Sequence, residues 1–302
     1  MLEPGFHYDV DAAVYHADPC PEPSLSASIA NLILDKSPRH AYLAHPRLNP
    51  TFVLEERDPT RPAEIGTVAH KLLLGRGRDI LRIPHNDYRT NEAKTLRKAA
   101  YESGRAPILE SDWTTAADLS MALTEQLRRV LGPSEFAAWE AGPVEVAMIG
   151  QTASGIYLRS LADRLVVLDG RLIIYDLKTG LSSAAPQDLS RRVVNNGYEV
   201  AAAFYMEVAA LAAPQYAGRV EFRWLFAENA PPHMLTVARP DATTEEMGAR
   251  KARLATAIWG ACIETSTWPG YPTIIHDVGY PKWEEAAWMD RELTDFHGDA
   301  VR

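Results

Sequence analysis

The 302-residue sequence predicts a chain that combines strands and helices, on three observations. Within Leu158–Gly180, two runs rich in Leu, Val and Ile flank Asp169-Gly170, a dipeptide suited to the positive φ angles of a two-residue hairpin turn. Both faces of that hairpin are apolar, with Leu165, Val167, Leu172 and Ile174 on one and Val166, Ile173 and Tyr175 on the other. That is the pattern of strands covered on both sides. Helical patterns and further strand runs alternate around it.

The chain is long enough for one large core, and a single domain over residues 1–302 is expected, with 1–25 as an N-terminal extension and 266–302 as an aromatic-rich C-terminal segment. A hydrophobic content of 46% and a charged content of 24% are ordinary for a globular protein. No run of about 18 apolar residues and no signal-peptide pattern occur, so no membrane association and a cytoplasmic location are expected. Cys20 and Cys262 are too few for a disulfide framework or a four-thiolate cluster. A net charge of −9 argues against a protein that coats nucleic acid non-specifically, yet leaves room for a local basic groove beside an acidic metal site.

In order along the chain, Ser26 or Ser28 caps a short helix that ends before Ser37-Pro38, and a second short helix carries Arg39, His40 and Tyr42. Residues 46–62 read as a loop. Residues 63–75 form a helix with Val68, Leu72 and Leu73 on its apolar face, ending at Gly75. His70 on that helix is either a core histidine or a ligand. Residues 86–107 hold the densest basic cluster, including Arg89, Lys94, Arg97, Lys98 and Arg105, either a solvated face or a surface turned to nucleic acid. A long amphipathic helix spans 112–131. Residues 143–149 form a strand carrying Glu145, either an ordinary strand residue or a contributor to the site. After the hairpin come helices at 184–193 and from Tyr198, strands at 220–227 and 234–239, and a helix at 243–265. The aromatics of the C-terminal segment are expected to pack over the core in preference to stacking on bases.

The hairpin also places chemistry. Its register sets Leu168 opposite Arg171, Val166 opposite Ile173 and Asp163 opposite Asp176, the last pair about 5 Å apart on one face. Lys178 falls on the same face by alternation. Two carboxylates there repel unless a cation or a proton separates them. The trio therefore reads as a site for a hard divalent cation such as Mg²⁺, with a lysine beside it to orient a water or offset charge on a phosphate.

At Asp163 and Asp176-Leu177-Lys178, with Thr179 following, the chain resembles the PD-(D/E)xK nuclease superfamily, and more narrowly its phage-type branch similar to exonuclease VIII and the lambda-type exonucleases. The likeness extends to Leu25-Ser26-x-Ser28, the Gly66-x-x-x-His70 helix, Gly197-Tyr198 with Ala203 and Tyr205, and the WPGY segment beginning at Trp268. Ala162 stands where the superfamily name writes Pro. Leu161 stands where an Arg often lies, and Ala201 where the branch carries a Gln near its active site.

The resemblance implies an α/β (α+β) fold with a restriction-endonuclease-like core, a mixed central β-sheet flanked by helices, and a Mg²⁺- or Mn²⁺-dependent exonuclease acting on double-stranded DNA in phage or prophage recombination. It assigns catalysis to Asp163, Asp176 and Lys178. The metal falls to Asp163, Asp176, the Leu177 carbonyl, His70 and Glu145. DNA contact falls to Arg159, Tyr198, Tyr205, Arg89 and Arg97. It also implies a single-strand annealing recombinase as partner and a homo-oligomeric ring around the duplex. An endonuclease, or a DNA-binding protein of the same fold with impaired catalysis through Ala201, is the alternative.

Overall fold

The computed structural model describes residues 1–52 and 59–297, so part of the expected 46–62 loop lies outside the described residues. The chain divides into two compact units, Met1–Pro269 and Gly270–Arg302.

The strands of the larger unit are β1 (Gly5–His7), β2 (Leu25–Ser26), β3 (Ile80–Ile83), β4 (Ala106–Leu109), β5 (Val144–Gln151), β6 (Tyr157–Leu168), β7 (Arg171–Gly180), β8 (Val220–Glu228) and β9 (Leu235–Ala238). Seven of them form one mixed sheet in the order β1-β5-β6-β7-β8-β9, with β2 paired to β6, while β3 and β4 make a separate parallel pair. The pairs β2–β6 and β7–β8 are parallel and the other neighbours antiparallel. Asp169 (φ 50°) and Gly170 (φ 74°) form the turn, both in the left-handed region that such a two-residue connection demands.

The helices are α1 (Ala12–His16), α2 (Ala27–Asp35), α3 (Pro38–Ala44), α4 (Arg61–Leu74), α5 (Asn91–Glu102), α6 (Glu110–Ala141), α7 (Pro186–Asn195), α8 (Tyr198–Ala212) and α9 (Ala242–Thr265). Ser26 caps α2 through its side chain, and Gly75 ends α4 in the left-handed conformation. Gly132, with φ 72° and ψ 172°, interrupts α6 before Pro133, next to the expected end of the helix at residue 131.

Two apolar cores lie on the two faces of the sheet, as the hairpin's composition requires. On one face Leu165, Leu172 and Ile174 pack with Ile29 of α2, Phe204 of α8 and Trp259 of α9. On the other, Val166, Ile173, Tyr175 and Leu177 pack with Leu73 of α4 and Leu123 of α6. Val167 departs from the expected covering: it lies beside the turn and is 54% exposed.

The C-terminal aromatics divide at residue 269. Trp268 packs on Tyr42 (5.4 Å between ring centres) and Trp259 (5.1 Å), as core packing requires. The smaller unit holds helix α10 (Lys282–His297), and within that unit Tyr271, Tyr280, Trp283 and Trp288 are exposed. Pro281 sits just before the helix, with Glu284 and Glu285 in its first turn, which are helix-starting features in their own right.

Candidate active site

The site forms where the hairpin splits. The β6–β7 ladder holds the expected register from Leu168↔Arg171 to Arg164↔Tyr175 and ends there, one pair short of Asp163 and Asp176. β7 stays paired with β8 on its other edge from Leu172 to Gly180, while beyond the fork Leu158 and Arg159 of β6 pair with β2. Asp163 does not stand in simple opposition to Asp176 as a regular ladder would have it. Its Oδ2 accepts the Leu177 backbone N–H at 2.6 Å, across the gap between the parting strands. The neighbouring strand is irregular at the same level: the β5–β6 pairs skip from Val144↔Arg164 to Val146↔Ala162, and Glu145 between them has φ 48°.

A cavity of about 470 Å³ opens at this fork, and Asp163, Asp176, Leu177, Lys178 and His70 all line it. His70 arrives from α4, its Nε2 3.5 Å from Asp163 Oδ1. The approach of α4 depends on Gly66: a Cβ at that position would lie 2.7 Å from Thr179 Oγ1, in the strand that carries Lys178. The Gly-x-x-x-His spacing thus has a steric reason, since the glycine lets the helix close on β7 and one turn later the histidine reaches Asp163.

The ionisable groups hold one another in place. Burial pushes Asp176 above the usual carboxylate range, with the Asp163 charge adding to it against the pull of Lys178. Asp163 moves the other way: burial opposes its charge, but His70, Lys178 and the Leu177 N–H outweigh it and lower its pKa. Burial also presses Lys178 and His70 towards neutrality, and in both the surrounding carboxylates win and raise the pKa. The Lys178 ammonium stands 2.6 Å from Asp176 Oδ2 and pairs with that buried carboxylate.

Other residues singled out in the sequence fall in different places. Tyr205 and Arg159 line the cavity. Tyr198 places its ring 5.3 Å from Lys178 Nζ. Glu145 is drawn to Arg76, 3.5 Å from its Nε. Arg89 is solvent-facing and pairs with Asp87 at 3.5 Å. Arg97 donates to Glu64 Oε1 at 2.7 Å and lies over the rings of Tyr88 and Tyr101, contacts that tie α5 to α4. Ala201 packs against the larger core. Tyr15, His16 and Ser26 also line the cavity, and no local pattern marks the first two for that role.

Among the described residues no three His, Cys, Asp or Glu side chains are gathered closely enough to cage a metal ion alone. The residues present nevertheless suit a hard cation that retains waters. Such an ion needs only one or two carboxylates, and Asp163 and Asp176 supply two on one cavity wall, close enough that the charge of Asp163 helps raise the pKa of Asp176.

A model of the PD-(D/E)XK nuclease superfamily matches residues 24–268, and the chain belongs to that superfamily. No curated protein matches the chain. Among solved structures, the crystal structure of a "putative exonuclease" from Eubacterium rectale superposes with a TM-score of 0.55 at 12% identity, covering 93% of this chain and 99% of that one. At that identity the likeness concerns the fold. The crystal structure of SSO0001 matches with a TM-score of 0.26 at 10% identity, covering 64% of this chain and 85% of that one.

Proposed function

We propose that the protein is a metal-dependent deoxyribonuclease that degrades double-stranded DNA from an end, of the phage recombination type. The observation that carries this reading is the meeting of Asp163, Asp176, Lys178 and His70 in one cavity, with the Lys178 ammonium 2.6 Å from Asp176 Oδ2 and His70 Nε2 3.5 Å from Asp163 Oδ1. Asp163 and Asp176 would hold Mg²⁺ or Mn²⁺, with the Leu177 carbonyl and His70 as further donors. Glu145 would join them only by leaving Arg76. When bound, such an ion supplies Lewis acidity towards a phosphoryl oxygen and lowers the pKa of a bound water.

The chain's own groups account for the rest. Lys178, held charged by the two aspartates, is a donor: it orients the attacking water and offsets charge gathering on the phosphate, and in that state it does not abstract a proton. Tyr198 confines the ammonium from the side. Arg159 faces the substrate strand from β6. The exonuclease reading draws on the sequence likeness to the phage-type branch, and the description of the Eubacterium rectale protein agrees with it.

The test is digestion of end-labelled linear duplex and closed circular duplex in Mg²⁺ or Mn²⁺, comparing wild type with Lys178→Ala. Loss of label from linear DNA by wild type alone supports the reading. Cutting of the closed circle moves the assignment to an endonuclease. DNA binding without product in either metal moves it to an impaired binding protein.

A further inference from the structure

The superfamily match begins at residue 24, yet the chain before it is built into the cavity. β1 extends the edge of the main sheet, pairing Gly5 with Ile149 and His7 with Ala147. The Leu2 N–H donates to Pro19 O at 2.8 Å and closes the intervening segment into a loop. Helix α1, capped by Asp11, carries Tyr15 and His16 to the cavity wall. Tyr15 is buried, and His16 is exposed with its ring edge-on to Tyr15 at 5.4 Å.

The same segment fixes Arg159. The Asp18 side chain is fully buried, with Oδ1 3.1 Å from Arg159 Nη1 and Oδ2 3.3 Å from His45 Nε2. Ser24 donates to Asp18 through its N–H (2.9 Å) and its hydroxyl (2.6 Å), and accepts from Arg159 Nη1 at its carbonyl oxygen (2.9 Å). One side of the guanidinium is thereby tied down. Arg159 is only 4% exposed, and its Nε has no hydrogen-bond partner among the described residues although the residue lines the cavity. A buried, unpaired guanidinium N–H is costly and asks for an acceptor. Partial burial against the cavity wall, and then the charges of Arg159 and Arg78, hold the otherwise exposed His16 below its ordinary pKa, and the two arginines give the imidazole a locally cationic field. An anion with several acceptor oxygens fits that field, and on a nucleic acid that is a backbone phosphate.

We propose that the N-terminal segment supplies a second phosphate subsite, in which His16 and the Nε edge of Arg159 hold a phosphate adjoining the scissile one, with Asp18 as the positioning residue for Arg159. The proposal rests on the nuclease reading and adds to it a contact made by residues outside the matched family region.

The experiment uses the full chain and end-labelled duplexes that carry one neutral methylphosphonate at successive positions near the end. Wild type is expected to be slowed at one phosphate besides the scissile one. In His16→Ala that second sensitivity disappears and KM rises about tenfold, the order expected for one charge-assisted hydrogen bond, with kcat and melting temperature nearly unchanged. His16→Arg restores both. A His16→Ala enzyme with wild-type KM and an unchanged methylphosphonate profile overturns the proposal. If wild type degrades no DNA, binding of the same duplexes in Ca²⁺ separates the two readings. His16-dependent binding keeps the subsite while the nuclease assignment falls, and binding indifferent to His16, or none, removes the subsite.

Discussion

The Leu177 backbone N–H donates to Oδ2 of Asp163 at 2.6 Å, one step past the last β6–β7 ladder pair. A side chain here takes over the partnership that the neighbouring strand has given up. The bond fixes the carboxylate in the gap with Oδ1 turned to His70. It also satisfies an N–H that the fork would otherwise leave without its β6 partner. The split of the hairpin and the orientation of the acidic residue are one structural event.

Asp163→Asn separates these two duties. The amide oxygen still accepts from Leu177, so the fork is retained and the melting temperature changes little. The charge that steadies His70 and Lys178 is lost, and the DNA digestion rate is expected to fall by about 10²–10³-fold. Digestion kinetics beside a thermal melt decide it; a variant cutting at half the wild-type rate would remove Asp163 from the chemistry.

Gly66 tests the helix approach. In Gly66→Ala the new Cβ meets Thr179 Oγ1, and relief by moving α4 off β7 carries His70 away from Asp163. A stability loss of about 1–3 kcal/mol is expected from the overpacking, together with lost activity. Thr179→Ala removes the opposing oxygen, so the double variant should be more stable than the sum of the singles. Urea unfolding of the four proteins measures this coupling, and strict additivity would refute the contact as the cause.

What the sequence made legible were the features set within a few residues of each other. Asp169-Gly170 specifies its turn by backbone preference and so fixes the register of the hairpin. Gly75 and Gly132-Pro133 punctuate α4 and α6 by the same local logic. The superfamily-like motif groups Asp163, Asp176, Lys178 and His70, and the structure brings the four to one cavity. The fork itself was not legible, because it depends on β2 reaching β6 from more than a hundred residues upstream, a pairing of two residues with no periodicity to announce it. The sequence leaves Glu145 open between strand residue and site contributor because nothing in its strand reveals Arg76, which meets it from the turn after α4. Tyr15 and His16 carry no local signal either: their place on the cavity wall follows from the buried anchoring of Asp18.

Asp18 links stability to pH. Burial opposes its charge, but His45, Arg159 and Ser24 outweigh it and hold its pKa below the ordinary 3.8. A depressed folded-state pKa adds stability that is fully present above the unfolded value and is lost as pH falls through the folded one. Asp18→Asn should therefore cost several kcal/mol near neutrality, about 3–5 by analogy with broken buried ion pairs. The gap between wild type and variant should narrow as pH drops below about 4. Denaturant titrations from pH 6 to pH 3 follow that difference; a gap constant across the range would mean that the carboxylate charge contributes nothing.

Arg164, the neighbour of Asp163 in β6, points into the opposite core and has no carboxylate hydrogen-bonded to it among the described residues. Its Nη1 donates to the carbonyl oxygens of Trp139, Glu140 (3.0 Å) and Gly142 (3.1 Å), and its Nη2 to that of Leu74 (3.3 Å). The guanidinium thus binds the C-terminal ends of α6 and α4, where helix dipoles favour positive charge, and it lies 4.1 Å from the ring centre of Trp139. Burial lowers its pKa to about 10, which leaves it charged near neutrality. Arg164→Met would strip several buried carbonyls of their donor at once, and a loss of about 2–5 kcal/mol is expected. Arg164→Lys keeps the charge but not the planar fork that reaches two helix ends, so it should recover less than half of that loss. Because α4 also carries His70, both variants should lose activity in proportion to the displacement of that helix, which hydrogen exchange along residues 61–74 would register. Full stability in Arg164→Lys would show that charge alone, without the forked geometry, holds the two helices to the sheet.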